Sequence, residues 1–370
     1  MSTVVVKIGS AVVAPGGTPD PAVFARLGRE VATLTPAGWR VVVVSSGAIA
    51  CGMGALACRT PPRRMLDRQA AAAIGQQRLM ALWGEAFDRA DGRSVAQVLL
   101  TADDLEHRTR FLNARHTIER LLDVGVTPIV NENDSVSFEE IRVGDNDRLA
   151  ALVAVALGAE ALVLLSSVDG LLDRSGQVVP VVEEWAPAEA LVRRDRTVTG
   201  VGGMAAKLDA AFMAREHGVS VWIAPGKRDG ALTTALCGEA IGTRIVPASA
   251  GVAARKAWIG TTVRPRGVVR VDEGAAAALR ERGASLLPRG VTGVDGEFDQ
   301  GAVVEIIDPA GAPVGRGLAS YSAGDLRRIA GRRADEIEAV LGYAYTDEVV
   351  HRDDLVVMPT RGGATGSARS

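Results

Sequence analysis

Lysine is scarce in this chain. Of 42 basic residues only Lys7, Lys207, Lys227 and Lys256 are lysine, and the rest are arginine. Aromatic residues make up only 4% of the sequence, so any core must be built from alanine, valine and leucine. The three cysteines, Cys51, Cys58 and Cys237, form no CxxC pair, which excludes a thiolate metal site and a disulfide framework. The four histidines, His107, His116, His217 and His351, are scattered without metal-ligand spacing. The most apolar stretch, Leu149–Leu165, is shorter than a membrane span and is broken by Gly158-Ala159-Glu160. An excess of one charge sign is also lacking: the formal net charge is −2 and the pI about 6.2. That balance gives no bulk electrostatic reason to expect nucleic acid or an anionic membrane as the main partner. The first residues run straight into a strand with no basic-then-apolar leader, and a soluble cytoplasmic protein is expected.

What is present is alternation. A chain of 370 residues with 47% apolar residues has room for two cored domains. Val4–Ile8 and Val41–Val44 are continuous apolar runs of the kind buried on both faces of a sheet. Val95–Leu100, Thr127–Val130, Ala161–Leu165 and Val219–Ala224 are further strand candidates. Between them lie the helical stretches Pro21–Thr35, Asp67–Ala90, Arg110–Val124, Asp145–Leu157 and Met204–His217. The pattern predicts an α/β fold, an αβα sandwich with a mostly parallel sheet, over residues 1–246. A small-residue linker is expected over 247–265. Short strands with turn signals then predict a small α+β domain over 266–345. Residues 346–370 form a C-terminal segment whose Gly/Ala/Ser/Arg-rich end is expected to be disordered.

In sheets of this kind ligands bind beyond the carboxyl ends of the strands. Polar and glycine clusters follow the strands here: Lys7-Ile8-Gly9-Ser10, Ser45-Ser46-Gly47-Ala48, Asn131-Glu132-Asn133-Asp134 and Ser166-Ser167. Gly144-Asp145-Asn146-Asp147 opens a helix, either as a simple N-cap run or as part of a site. Lys7 and Lys207 both sit beside glycine-rich turns. A compact ammonium kept in an arginine-rich chain, next to backbone N–H groups, suits phosphate.

Together, these residues resemble the amino acid kinase family. The resemblance is carried by VVVKIGSAVV, VVVVSSGAIACG, QAAAAIGQQRLMALW, RFLNARHTIERLL, PIVNENDSV, IRVGDNDRLAALVA and VGGMAAKLDAA. RRIAGRRADEIEAVLGY, further on, adds to that resemblance, and from about Arg266 the chain resembles a PUA domain, chiefly through VDEGAAAALRERGASLLPRGV; that part of the fold is then a PUA-like β-barrel. The resemblance implies ATP- and Mg²⁺-dependent phosphorylation of the γ-carboxylate of L-glutamate, the first step of proline biosynthesis. It implies Lys7 and Lys207 at the transferring phosphoryl group, with Asp147 orienting both. Ser46, Gly47, Ala48, Asp134 and Asn146 would bind the substrate, with Asp134 a partner for its α-ammonium. Gly9, Gly47 and Ala48 would offer backbone N–H groups to anions. ATP would lie on Lys7, Gly9, Ser166, Ser167 and the segment Val201, Gly202, Gly203, Met204, Ala205, Ala206 and Lys207. No protein-held metal site is expected. Proline as feedback inhibitor and a homo-oligomer, dimer or tetramer, are further implications, and no membrane partner is expected.

Two departures from the family pattern stand out. Ser166-Ser167 replaces the usual Thr-Asp, and Val201 and Ala206 replace two threonines of the glycine loop. Two hydroxyls and one carboxylate of the nucleotide site are therefore missing. Relatives acting on N-acetylglutamate, aspartate, carbamate or UMP remain alternatives, as does an RNA-binding or regulatory protein with a degenerate kinase domain. A free α-ammonium needs a carboxylate partner, which Asp134 offers. In the second domain Arg327, Arg328, Arg332 and Arg333 form either an RNA contact or a solvated face beside Asp335, Glu336 and Glu338.

Overall fold

The computed structural model describes the chain outside residues 102–103, 106–107, 137–144, 196–202, 249–264 and 359–370. The expected linker and the end of the C-terminal segment lie largely outside the described residues. Two compact units are present, Met1–Gly251 and Val252–Ser370.

The first unit holds one sheet. Its strands are β1 (Ser2–Ile8), β2 (Trp39–Ser45), β3 (Val95–Leu100), β4 (Thr127–Glu132), β5 (Ala161–Ser166), β6 (Val181–Val182), β7 (Ser220–Pro225) and β8 (Thr243–Ile245). Their order is β3-β4-β2-β1-β5-β7-β8-β6. Neighbours are parallel except β7 and β8. The continuous valine and leucine runs have the reason expected of them: both faces are covered. Val4, Val6 and Ile8 pack with Leu27, Leu79 and Trp83 from helices Pro21–Leu34 and Met65–Asp91. Val5, Val42 and Leu162 pack on the opposite face with Ile118, Leu149 and Leu208 from helices Arg108–Asp123, Asp145–Ala156 and Gly203–Glu216. Such a sheet has its central strands ending side by side at one edge, and that edge carries the polar clusters.

Helix Ala48–Met53, which follows β2, crosses helix Met65–Asp91 at backbone distance. A Cβ on Gly52 would lie 1.9 Å from Ala71 O, and one on Gly75 would lie 1.8 Å from Ala48 O. Only glycine permits this approach.

The second unit is α+β. Strands β9 (Gly267–Val271), β10 (Val291–Asp295), β11 (Val303–Ile307), β12 (Pro313–Leu318) and β13 (Leu355–Val357) run in the order β10-β9-β11-β12-β13. β9 and β11 are parallel and the other neighbours antiparallel. Helix Glu273–Arg282 is capped by Asp272, whose carboxylate accepts from Ala275 N at 2.6 Å. Val269, Ile306, Val314, Tyr321 and Leu326 build its core.

Candidate active site

At the carboxyl edge of the first sheet is a cleft of about 850 Å³. Residues following β1, β2, β4 and β5 line it: Gly9, Ser46, Asp134 and Ser167 are all part of its wall. Gly47 turns the chain from β2 into the next helix with φ +113, and a Cβ there would meet Val13 Cγ2 at 2.9 Å. Glycine is thus required by conformation and by space at once.

The floor is an ion triad. Lys7 on β1, Asp147 in the first turn of helix Asp145–Ala156, and Lys207 on helix Gly203–Glu216 meet there. Lys7 Nζ lies 2.5 Å from Asp147 Oδ1 and Lys207 Nζ 2.8 Å from Oδ2. The Lys207 contact has hydrogen-bond geometry, whereas Oδ1 makes an ion pair without a directed hydrogen bond. Asp147 is 0% exposed and Lys7 5%. Two cations share one carboxylate, so a positive charge is left over beside the cleft. Burial pushes the Lys7 ammonium below its ordinary pKa; Lys207 adds to that and Asp147 opposes it. An unbalanced, partly desolvated cation pair is suited to an incoming anion such as a phosphoryl group.

Beside the triad is a cluster of amides. Asn146 Nδ2 donates to Ser46 Oγ at 2.9 Å and to Asn131 Oδ1 at 3.0 Å. Asn131 is buried and its Nδ2 donates to Gln76 Oε1 at 2.9 Å. Arg68, from the start of helix Met65–Asp91, also lines the cleft, and its Nε is buried without a hydrogen-bond partner. Among the described residues no group of three or more His, Cys, Asp or Glu side chains is placed to hold a metal.

The cleft brings together Lys7, Gly9, Ser46, Gly47, Ala48, Asp134, Asn146, Asp147, Ser166, Ser167, Gly203, Met204 and Lys207. Val201 and Gly202 lie outside the described residues. Ala205 does not reach the cleft; it is buried against Leu208 and Ala211 in the core. Ala206 does not line the cleft either. The expectation that Gly9 offers its N–H to an anion needs correction. That N–H donates to Leu165 O at 3.1 Å, extending the sheet ladder by one residue. Ser10 and Ala11, the next two cleft residues, begin a helix and so have the free N–H groups. Arg68 and Gln76 were not singled out by sequence reasoning, and Asn131 only as part of the polar cluster that closes β4. The glycine–polar signal marks turns after strands, and Arg68 and Gln76 sit inside a helix.

In the second unit three of the four arginines are committed locally. Arg327 pairs with Glu297 at 2.7 Å, Arg333 with Asp335 at 3.1 Å, and Arg328 donates to Val340 O.

The amino acid kinase family model matches residues 2–225, and the PUA domain model matches residues 267–341. The chain therefore belongs to the amino acid kinase family and carries a PUA domain. Two full-length relatives make this narrower. A glutamate 5-kinase of Syntrophotalea carbinolica is 45% identical over 361 residues, covering 96% of each chain. A glutamate 5-kinase of Thermus thermophilus is 47% identical over 358 residues, covering 95% of this chain and 96% of the relative. They place the chain among the glutamate 5-kinases. Similarity to solved structures is one of fold. N-acetylglutamate synthase from Neisseria gonorrhoeae superposes with TM-score 0.51 at 20% identity, covering 70% of this chain and 66% of that one. Carbamate kinase from Giardia lamblia superposes with TM-score 0.50 at 17% identity, covering 67% and 99%. Among the described residues no helix is long and apolar enough to cross a membrane.

Proposed function

We propose that this chain transfers the γ-phosphoryl group of ATP to the γ-carboxylate of L-glutamate, forming L-glutamyl 5-phosphate and ADP. The observation that carries the reading is the buried Lys7–Asp147–Lys207 triad facing an amide-lined cleft. The acceptor carboxylate has an ordinary pKa of ~4.3 and is already a nucleophile at neutral pH, so no general base is needed. A carboxylate oxygen attacks the γ-phosphorus, the bond to the bridging oxygen breaks, and ADP leaves with the electron pair. The barrier is chiefly the cost of bringing two anions together and of carrying charge on the transferring group. Lys7 and Lys207 offset that charge, and Asp147 fixes both ammonium groups at the same spot. Ser46, Asn146 and Asp134 hold glutamate, Asp134 taking the α-ammonium, and the unpaired Arg68 guanidinium takes its α-carboxylate. The nucleotide rests along Ser10, Ala11, Ser166, Ser167 and the start of helix Gly203–Glu216. Mg²⁺, when bound, neutralises phosphate charge. It would be held chiefly by phosphate oxygens and water, with one or two carboxylates beside them, the usual mode for this ion.

The domain roles follow: residues 1–246 catalyse, and the PUA-like part, 266–345, is appended through the linker. The enzyme is cytoplasmic and homo-oligomeric, as dimer or tetramer. Proline binds as feedback inhibitor near Asn131–Asp134, at the end of β4; residues 137–141 of the same segment lie outside the described residues. The arginine pairing within the second unit favours a solvated face over an RNA contact there.

The test is ATP-dependent γ-glutamyl hydroxamate formation from L-glutamate and hydroxylamine. N-acetyl-L-glutamate and L-aspartate run in parallel. Activity confined to L-glutamate is the expected result, and activity on N-acetyl-L-glutamate instead would overturn the substrate assignment.

A further inference from the structure

The loop that follows β7, residues 226–232, is gripped by two side chains from the start of the chain. Arg26 and Glu30 stand one turn apart on helix Pro21–Leu34 and pair at 2.7 Å. Arg26 donates through Nη2 to Gly226 O and through Nη1 to Arg228 O at 3.3 Å. Glu30 accepts from Gly230 N at 3.2 Å and from Leu232 N at 3.1 Å. The guanidinium thus takes the loop's carbonyls and the carboxylate its N–H groups, the match their chemistry requires. Glu30 also caps helix Ala231–Leu236, whose own N-cap residue, Gly230, has no side chain to do so. Glu30 is 8% exposed, and a charge so buried is tolerated only with such partners.

The held loop stands behind one side of the cleft. Pro225 ends β7 and has no N–H, so the next donor, Gly226 N, reaches Ser166 O at 2.7 Å. Gly226 is buried and has no spare room: a Cβ there would lie 2.8 Å from Val12 Cγ2 and 3.1 Å from Leu165 Cβ. Val12 belongs to the turn Ser10–Val13, which carries the cleft residues Ser10 and Ala11. Gly226 therefore holds Ser166 through its N–H, backs Val12 with its Cα, and is itself held through its carbonyl by Arg26. We propose that Arg26 and Glu30 are positioning residues for the nucleotide: by fixing Gly226 they set the spacing between Ser166 and the Ser10–Ala11 turn. Neither lines the cleft. Ser46, Asn146 and Arg68, on the glutamate side, stand on other elements: after β2 and on helices Asp145–Ala156 and Met65–Asp91. Loosening the loop should therefore harm one substrate and spare the other. The proposal rests on the reading of Ser10, Ala11, Ser166 and Ser167 as the nucleotide side.

The experiment compares the parent with Arg26→Met, Arg26→Lys, Glu30→Gln and Gly226→Ala. The readouts are titration with the fluorescent nucleotide N-methylanthraniloyl-ADP in the absence of glutamate, KM for ATP and for L-glutamate, kcat, and melting temperature. In Arg26→Met, ADP binding weakens and the ATP KM rises, each about tenfold, the equivalent of one lost hydrogen bond to the nucleotide. The L-glutamate KM stays within about twofold of the parent, because its contacts do not pass through the loop. Glu30→Gln, which removes the charge facing the loop's N–H groups, moves the same values in the same direction. Arg26→Lys keeps the charge opposite Glu30 but not the fork, and falls between parent and Met. Gly226→Ala presses the same residue from the Val12 side with Arg26 intact, and gives the same split between the two KM values. Combined with Arg26→Met it adds less than about twofold, since both act through one displacement. If Arg26→Met does not fold, the Lys and Gly226→Ala variants carry the test. A lowered melting temperature with unchanged ADP binding would overturn the proposal, as would equal rises in both KM values. A parent that binds the fluorescent ADP but is silent on L-glutamate would overturn the substrate assignment, and the titration would still decide the role of Arg26. A parent that binds no ADP would overturn the nucleotide reading and this proposal with it.

Discussion

The backbones of Gly52 and Gly75 touch: a methyl group on Gly75 would sit 2.5 Å from the Gly52 nitrogen. That contact sets how far helix Ala48–Met53 approaches helix Met65–Asp91, and with it the spacing between the cleft residues Ser46–Ala50 and the buried Gln76. Gly75→Ala forces the helices apart and is expected to cost about 3 kcal/mol, the upper range for overpacking. In thermal melts that is a fall of roughly 6–12 °C, accompanied by a raised KM for L-glutamate. Gly84→Ala on the same long helix is the control. Its methyl would meet nothing within 4 Å, so helix propensity alone acts and stability rises by up to ~1 kcal/mol.

Lys207→Arg is expected to keep charge and fold but lose activity by about a hundredfold or more, because a planar fork cannot occupy the ammonium's place beside Asp147 and the phosphoryl group. Hydroxamate formation measures the loss, and an unchanged circular dichroism melt separates it from unfolding. Asp147→Asn is harsher. It leaves the buried Lys7 without a counter-charge and beside Lys207, so stability drops by about 3–5 kcal/mol as well.

The same burial makes rate and stability move in opposite directions with pH. Lys7 titrates below the ordinary lysine value of 10.5, first because it is buried and then because Lys207 is near. Its charge is needed, so kcat falls as pH rises through the lowered pKa. The unfolded chain keeps that proton up to the ordinary value. Between the two pKa values the unfolded state binds more protons, and this group's contribution to stability therefore rises with pH. Below the folded pKa both states are protonated and the desolvation cost is constant. A kcat profile and urea melts over the range below pH 10.5 check both slopes.

The three thiols separate by environment. Burial pushes Cys51 up to about 11, although Arg78 nearby pulls the other way. Cys237 is exposed. At neutral pH, N-ethylmaleimide is expected to modify Cys237 readily and leave Cys51 untouched, read by peptide mass spectrometry. Labelling of Cys51 at a similar rate would show that helix Ala48–Met53 opens in solution.

How much of this was legible beforehand depended on periodicity and on turns. The central strands are apolar runs, broken in β1 by Lys7, and the polar clusters that follow them mark the cleft, because a parallel sheet gathers its carboxyl ends at one edge. β6 is only Val181–Val182 and β8 only Thr243–Ile245, too short to carry a pattern. Gly9 was misjudged because a glycine after a strand looks like a free anion donor, while the register of β1 against β5 already uses its N–H. Gln76 reads in sequence as one more polar helix residue. Only the facing Asn131 on β4 gives it a role, and that pairing spans 55 positions. The two lysines of the triad were legible for another reason: an arginine-rich chain keeps few lysines, and two of its four flank glycine turns; Asp147 was implied only by the family resemblance.

Arg68 tests whether the empty guanidinium in the cleft wall recognises substrate. Its Nε is buried without a partner, and an unpaired buried donor costs about 1–3 kcal/mol unless a ligand satisfies it. Glutamate has two carboxylates. One must face the triad to be phosphorylated, which leaves the α-carboxylate for a second cation, and among the described residues Arg68 is the arginine lining the cleft. Arg68→Ala then raises KM for L-glutamate by about ten- to a hundredfold, the range of a charge-assisted hydrogen bond, with kcat reduced much less because the reacting atoms are untouched. Arg68→Lys restores part of the affinity as a point charge. Truncating the substrate supplies the converse: γ-aminobutyrate, which lacks the α-carboxylate, is expected to be equally poor for the parent and for Arg68→Ala. If the parent used γ-aminobutyrate far better than the variant did, the arginine would be contacting something other than the α-carboxylate.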